Sequence, residues 1–107
     1  VWTLEIYQDD KGRSPYQQWE DSLDNYTLAR ILARIERIKL GHFGDVKSVG
    51  DGVGELRFNF GSGYRIYFGL KGRAIIILLC AGDKSSQLKD IQKAKKYWID
   101  YEKRTNA

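Results

Sequence analysis

"ELRFNFGSGYRIYF", residues 55–68, decides the fold. Leu56, Phe58 and Phe60 alternate with Glu55, Arg57 and Asn59, and Tyr64, Ile66 and Phe68 alternate with Arg65 and Tyr67. A period of two is that of a strand with one buried face, so the stretch reads as an antiparallel hairpin. Placing both apolar sets on one face pairs Phe60 with Tyr64 across a three-residue Gly-Ser-Gly loop, Asn59 with Arg65, and Arg57 with Tyr67. Arg57 and Arg65 then become diagonal neighbours on the other face, in a patch with Asn59 and Tyr67.

On the N-terminal side, "WTLEIY" (2–7) alternates as a first strand, and "DDKGR" supplies a turn. Ser14-Pro15-Tyr16-Gln17 combines a cap, a proline at the first helical position and a glutamine three residues after the cap, which starts a helix over 15–23. From Tyr26 to Leu40, Leu28, Ile31, Leu32, Ile35 and Ile38 keep helical spacing, Arg30, Arg34 and Arg37 share the opposite face, and Gly41 ends the helix. Residues 41–54, with five glycines and no periodicity, read as one long loop.

On the C-terminal side, Lys71-Gly72 turns into "AIIILLC", which is apolar on both sides and so predicts an interior strand. A last helix is expected from about Ser86 to Lys103, with Leu88, Ile91, Ala94, Trp98 and Tyr101 as its packing stripe. The expected class is α+β: a single domain over 1–107, ordered strand, helix, helix, three strands, helix, with a mainly antiparallel sheet packed against helices.

The length of 107 residues suits one core, and 42% hydrophobic residues can fill it. The net charge of +4 and pI of about 9.2 suggest an anionic partner. Residues 84–104 carry seven Lys or Arg against three acids, a net +4 that equals the whole excess. The one cysteine, Cys80, excludes an internal disulfide and points to a reducing cytoplasm. The longest apolar run falls far short of the roughly 20 residues that cross a bilayer, so no membrane role is expected. A first residue Val1 with no methionine implies that the natural start lies upstream or has been trimmed.

With one histidine, His42, and one cysteine, neither a zinc site of the usual ligands nor a Cys-His pair can be built. The glycine-rich loop lacks the Lys-Ser/Thr ending of a phosphate-binding P-loop. No metal and no nucleotide cofactor are expected. What is left is cationic: Arg57, Arg65, Lys84 and Lys89, with Tyr64 or Tyr67 near them, make a groove of phosphate-binding cations beside rings on which bases stack. Two other readings stand beside this one. The lysines of the last helix also suit a solvated face, and Arg57 and Arg65 also suit ion pairs with Glu55 or Asp83.

Together with "GDKSSQLKDIQKAKKYW" (82–98) and "GRSPYQQWEDSLD" (12–24), the hairpin strongly resembles the RelE/ParE toxin superfamily, in its HigB-like branch of phage Gp49-related addiction module killer proteins. The resemblance covers nearly the whole chain. It implies a small RelE-like fold with two N-terminal helices on one side of the sheet, and a cognate antitoxin protein as partner. It also implies a metal-independent endoribonuclease acting on mRNA at the ribosome. Arg65 and Lys84 match positions where nucleases of the superfamily keep basic catalytic residues, and Arg57 lies within one residue of another. Where family members place a tyrosine six residues past the cation, this chain has Asp90, which suits either a catalytic base or a helix N-terminal carboxylate. Asn59, Tyr64, Tyr67 and Lys89 are the expected RNA contacts. Two further readings remain: a ParE-like poison of DNA gyrase, and a non-catalytic module binding antitoxin and DNA.

Overall fold

Thr3–Ile6 (β1) and Ile75–Gly82 (β5) pair in parallel, and the strands between them in sequence extend the sheet beyond β5 in the order β1-β5-β4-β3-β2. Those strands are Val46–Gly50 (β2), Val53–Arg57 (β3) and Arg65–Lys71 (β4), all antiparallel to their neighbours. The helices are Pro15–Asp21 (α1), Asn25–Lys39 (α2) and Gln87–Thr105 (α3), the last entered through a short turn of 3-10 helix at Lys84–Ser86. This computed structural model describes residues 1–105. The fold is α+β, with a mainly antiparallel sheet packed against helices.

Each face of the sheet carries its own core. Tyr16 from α1 and Ile31, Ile35 and Ile38 from α2 pack on Leu56, Phe58, Ile66, Phe68, Ile76 and Leu78. On the opposite face Ala94 and Trp98 of α3 pack with Val53, Tyr67, Ile77, Leu79 and Cys80. The interior strand β5 therefore feeds both, as a run apolar on both sides must. Trp98 lies flat against Gly69, where a Cβ would run into the indole ring.

Three expectations give way. The long loop of 41–54 holds β2, which folds onto β3 through a tight turn with positive φ at Gly50, Asp51 and Gly52, so four strands follow α2. As an edge strand with four of its five residues exposed, β2 needs no apolar alternation. In the hairpin, Arg57 faces Arg65 and Glu55 faces Tyr67. The Phe58 N–H donates to the Tyr64 carbonyl and the Gly63 N–H to that of Phe60, so the strands part before Asn59 and the connection, 59–63, is longer than a three-residue loop. The face assignment is unaffected, because side-chain alternation has period two. Third, Leu88 (80% exposed) and Leu32 (42%) leave their stripes. In α3 the inward position belongs to Asp90, whose carboxylate accepts the Ser86 hydroxyl at 2.6 Å and presses on Gly82.

Asp24 caps α2, its carboxylate accepting the Thr27 N–H at 2.7 Å, and this bond holds its pKa below the usual 3.8. A lowered folded value means that the stabilisation is complete above the unfolded value and disappears as pH falls through the folded one. Asp24→Ala is therefore expected to lower the melting temperature at pH 7 and to converge on the wild type in acid, a comparison that thermal melts at several pH values make directly.

Candidate functional site

Beyond the N-terminal end of α3, the hairpin tip and the β5–α3 turn meet. Pairing of Arg65 with Gly82 brings Asp83 and Lys84 against the loop Gly61-Ser62-Gly63. The aliphatic stem of Lys84 lies on Gly63, where a Cβ would come within 2.8 Å of it. Asp83 ties the turn together by accepting the Ser85 N–H at 2.9 Å, and bonds from the Ser85 and Ser62 hydroxyls hold its carboxyl below its usual range. The result is a cleft of about 380 Å³ walled by Phe58 to Gly63 and by Lys84. Lys84 and Asn59 are exposed on it.

On the α3 side of the hairpin lies a buried charge network centred on Glu55, which is 1% exposed. Its carboxylate accepts the Tyr67 hydroxyl at 3.0 Å and the Gln87 side-chain N–H at 2.8 Å, and it faces the guanidinium groups of Arg57 at 3.6 Å and Arg65 at 3.9 Å. Arg65 is 5% exposed and donates to the carbonyls of Gly63 and Tyr64. Its Nε is the one buried side-chain nitrogen or oxygen without a hydrogen-bond partner among the described residues. Burial, reinforced by the Glu55 bond, pushes the Tyr67 hydroxyl pKa upward.

The expected site residues thus separate by depth. Arg57, Arg65, Lys84 and Asn59 gather at the hairpin tip, but only Arg57, Asn59 and Lys84 reach solvent. Tyr67 is wholly buried under α3, so it offers no ring for stacking. Tyr64 lies half-buried on the other face of the sheet, against Trp19 and Phe60. Asp90 is buried and bonded to Ser86, and Lys89 is exposed but outside the cleft walls. The open patch expected on one strand face is corrected to a buried network with an exposed rim. The cause is α3, whose first turn covers that face.

The helical spacing puts Arg34 with Arg30 and Arg37 on the face of α2 opposite its apolar set. In the structure it is a staple: its guanidinium donates to the carbonyls of Arg57, Phe43 (3.1 Å) and Asp45 (2.8 Å) and lies 4.5 Å over the Phe58 ring. The helical spacing of Arg30, Arg34 and Arg37 was the available signal, and what it lacked was the neighbouring loop.

Residues 18–100 match the family described as Phage derived protein Gp49-like (DUF891). The chain belongs to this family. A Haemophilus influenzae (strain ATCC 51907 / DSM 11121 / KW20 / Rd) protein called "Uncharacterized protein" is 49% identical over 81 residues, which cover 75% of this chain and 82% of that one. The Gp49-like match agrees with the Gp49-related branch to which the hairpin and the "GDKSSQLK" turn pointed. All of the Gp49-like elements that build the cleft, from α2 through the first turns of α3, fall inside the matched residues. No helix among the described residues is long and apolar enough to cross a membrane.

Proposed function

We propose that the protein is the toxin of a type II toxin–antitoxin pair, and that it cleaves mRNA on the ribosome without a metal ion. The observation that carries the reading is the placement of Lys84, an exposed amine on the wall of a cleft at the tip of the hairpin in which Arg57 pairs with Arg65. The Gp49-like family supports the toxin part.

The reaction is attack of a ribose 2′-oxygen on the adjacent phosphorus. The new O2′–P bond forms as the P–O5′ bond breaks, leaving a 2′,3′-cyclic phosphate and a 5′-hydroxyl. Negative charge grows on the nonbridging oxygens, where Arg57 offers forked hydrogen bonds. Arg65, buried behind it, adds its charge to the field and holds the loop carbonyls in place. Lys84 gives a proton to the departing O5′. The 2′-hydroxyl proton passes to solvent or to a ribosomal group, because Asp90 is committed to Ser86 and lies off the cleft wall. In-line geometry is then supplied by how the ribosome holds the RNA.

Induction in growing cells tests this. Growth arrest is expected, with new RNA 5′ ends inside translated codons that can be ligated only after phosphorylation, as 5′-hydroxyl ends require. Arrest without new RNA ends would overturn the nuclease and turn attention to a protein target such as gyrase.

A further inference from the structure

A second cleft adjoins the first. It has a volume of about 320 Å³, shares Phe58, Asn59 and Phe60 with the Lys84 cleft, and is otherwise walled by Arg30, Arg34, Arg37 and Arg57, with Asp45 as the one carboxylate-bearing residue. Arg34 has a structural task, and Arg57 has Glu55. Arg30 and Arg37 are exposed, and no carboxylate lies within ion-pair distance of either among the described residues. Like charges at spacings of three and four along a helix repel and weaken it. Arg34 aside, the exposed guanidinium groups of Arg30 and Arg37 have no carboxylate partner that explains their place in this row.

We propose that this arginine cleft is a phosphate-binding track that continues the path of single-stranded RNA from the Lys84 cleft onto α2. The inference rests on reading the chain as an RNA-acting toxin. Two features favour RNA over an acidic protein segment. The clefts share the wall Phe58–Phe60 and so lie side by side, which suits a polymer with a charge at every unit. Arg30 also lies between two rings, 4.0 Å from the centre of Phe60 and 5.8 Å from that of Tyr26, and Tyr26 is 70% exposed. An exposed ring beside paired cations is a stacking platform for a base.

The test is fluorescence anisotropy with a labelled, uncleavable 2′-O-methyl oligouridylate of about twelve nucleotides, a length chosen to span more than one single-strand site, titrated at several salt concentrations. Arg30→Ala/Arg37→Ala is expected to weaken binding about tenfold at low salt and to flatten the log–log salt slope by about 1.4, the value for two lost phosphate contacts on a single strand. Lysines at both positions should restore the slope. Tyr26→Ala should weaken binding with the slope unchanged, since stacking releases no counterions. Superimposable curves for wild type and the double alanine variant would overturn the track and assign the cleft to an acidic protein partner, and so would a wild type that does not bind at low salt. A normal track result together with uncut RNA in cells would overturn the nuclease and leave the track standing.

Discussion

Lys84→Ala is expected to reduce RNA cleavage by about 100-fold or more while leaving the urea unfolding midpoint unchanged. The loss follows from the work assigned to the amine: general acid catalysis typically contributes about 10²–10⁴-fold. The unchanged midpoint follows from exposure, because the side chain forms no ion pair among the described residues and only its stem rests on Gly63. Lys84→Arg separates proton from charge. Arginine keeps the cation but does not release a proton at neutral pH, so an Arg variant as weak as the Ala variant identifies Lys84 as an acid. An Arg variant near wild type identifies it as a counter-charge. Full activity in Lys84→Ala would remove this residue from the mechanism. The readout is the rate of appearance of 5′-hydroxyl ends on translating ribosomes, with stability measured on the same preparations.

Glu55→Ala carries the largest expected cost in stability. Removing one partner of a buried ion pair costs about 3–5 kcal/mol, because the other charge stays behind without compensation. Here the deserted group is Arg65, which is 5% exposed, and the Tyr67 hydroxyl and the Gln87 amide lose their acceptor at the same time. Against a total of about 5–15 kcal/mol for a small domain, the variant is expected to stand at the edge of unfolding. Glu55→Gln keeps an acceptor for Tyr67 and should fall between the two. Urea titrations of all three proteins check the order, and a Glu55→Ala midpoint equal to wild type would show that Arg65 does not depend on the carboxylate.

The hairpin shows what can and cannot be read from residues alone. Which side chains share a face followed from alternation, and Leu56, Phe58, Ile66 and Phe68 do lie together in the core under α1 and α2. Which residue faces which depended on where the loop closes, and "GSG" gives no sign that Phe58 bonds across it to Tyr64. β2 went unread because an exposed edge strand leaves no apolar signature. Leu88 was drawn into a stripe by its chemistry, while the inner position went to Asp90, a residue type seldom buried without a partner and here supplied with one by Ser86. For the site, the sequence named the cations and even the carboxylate Glu55. Depth was the missing coordinate: nothing in "GYRIYF" tells that α3 lies over Arg65 and Tyr67.

The parallel pairing of β1 with β5 sets a timetable. Thr3 pairs with Ile75, and β1 has no other strand beside it. A chain made from its N-terminus must therefore hold Leu4 and Ile6 without their partner strand until β5 has been synthesised, an interval of roughly 4–14 s at about 5–20 residues per second. The cations at the hairpin tip wait as well, since Lys84 and the α3 turn that covers Glu55 come later still. Until then a growing chain of this protein has no assembled cleft.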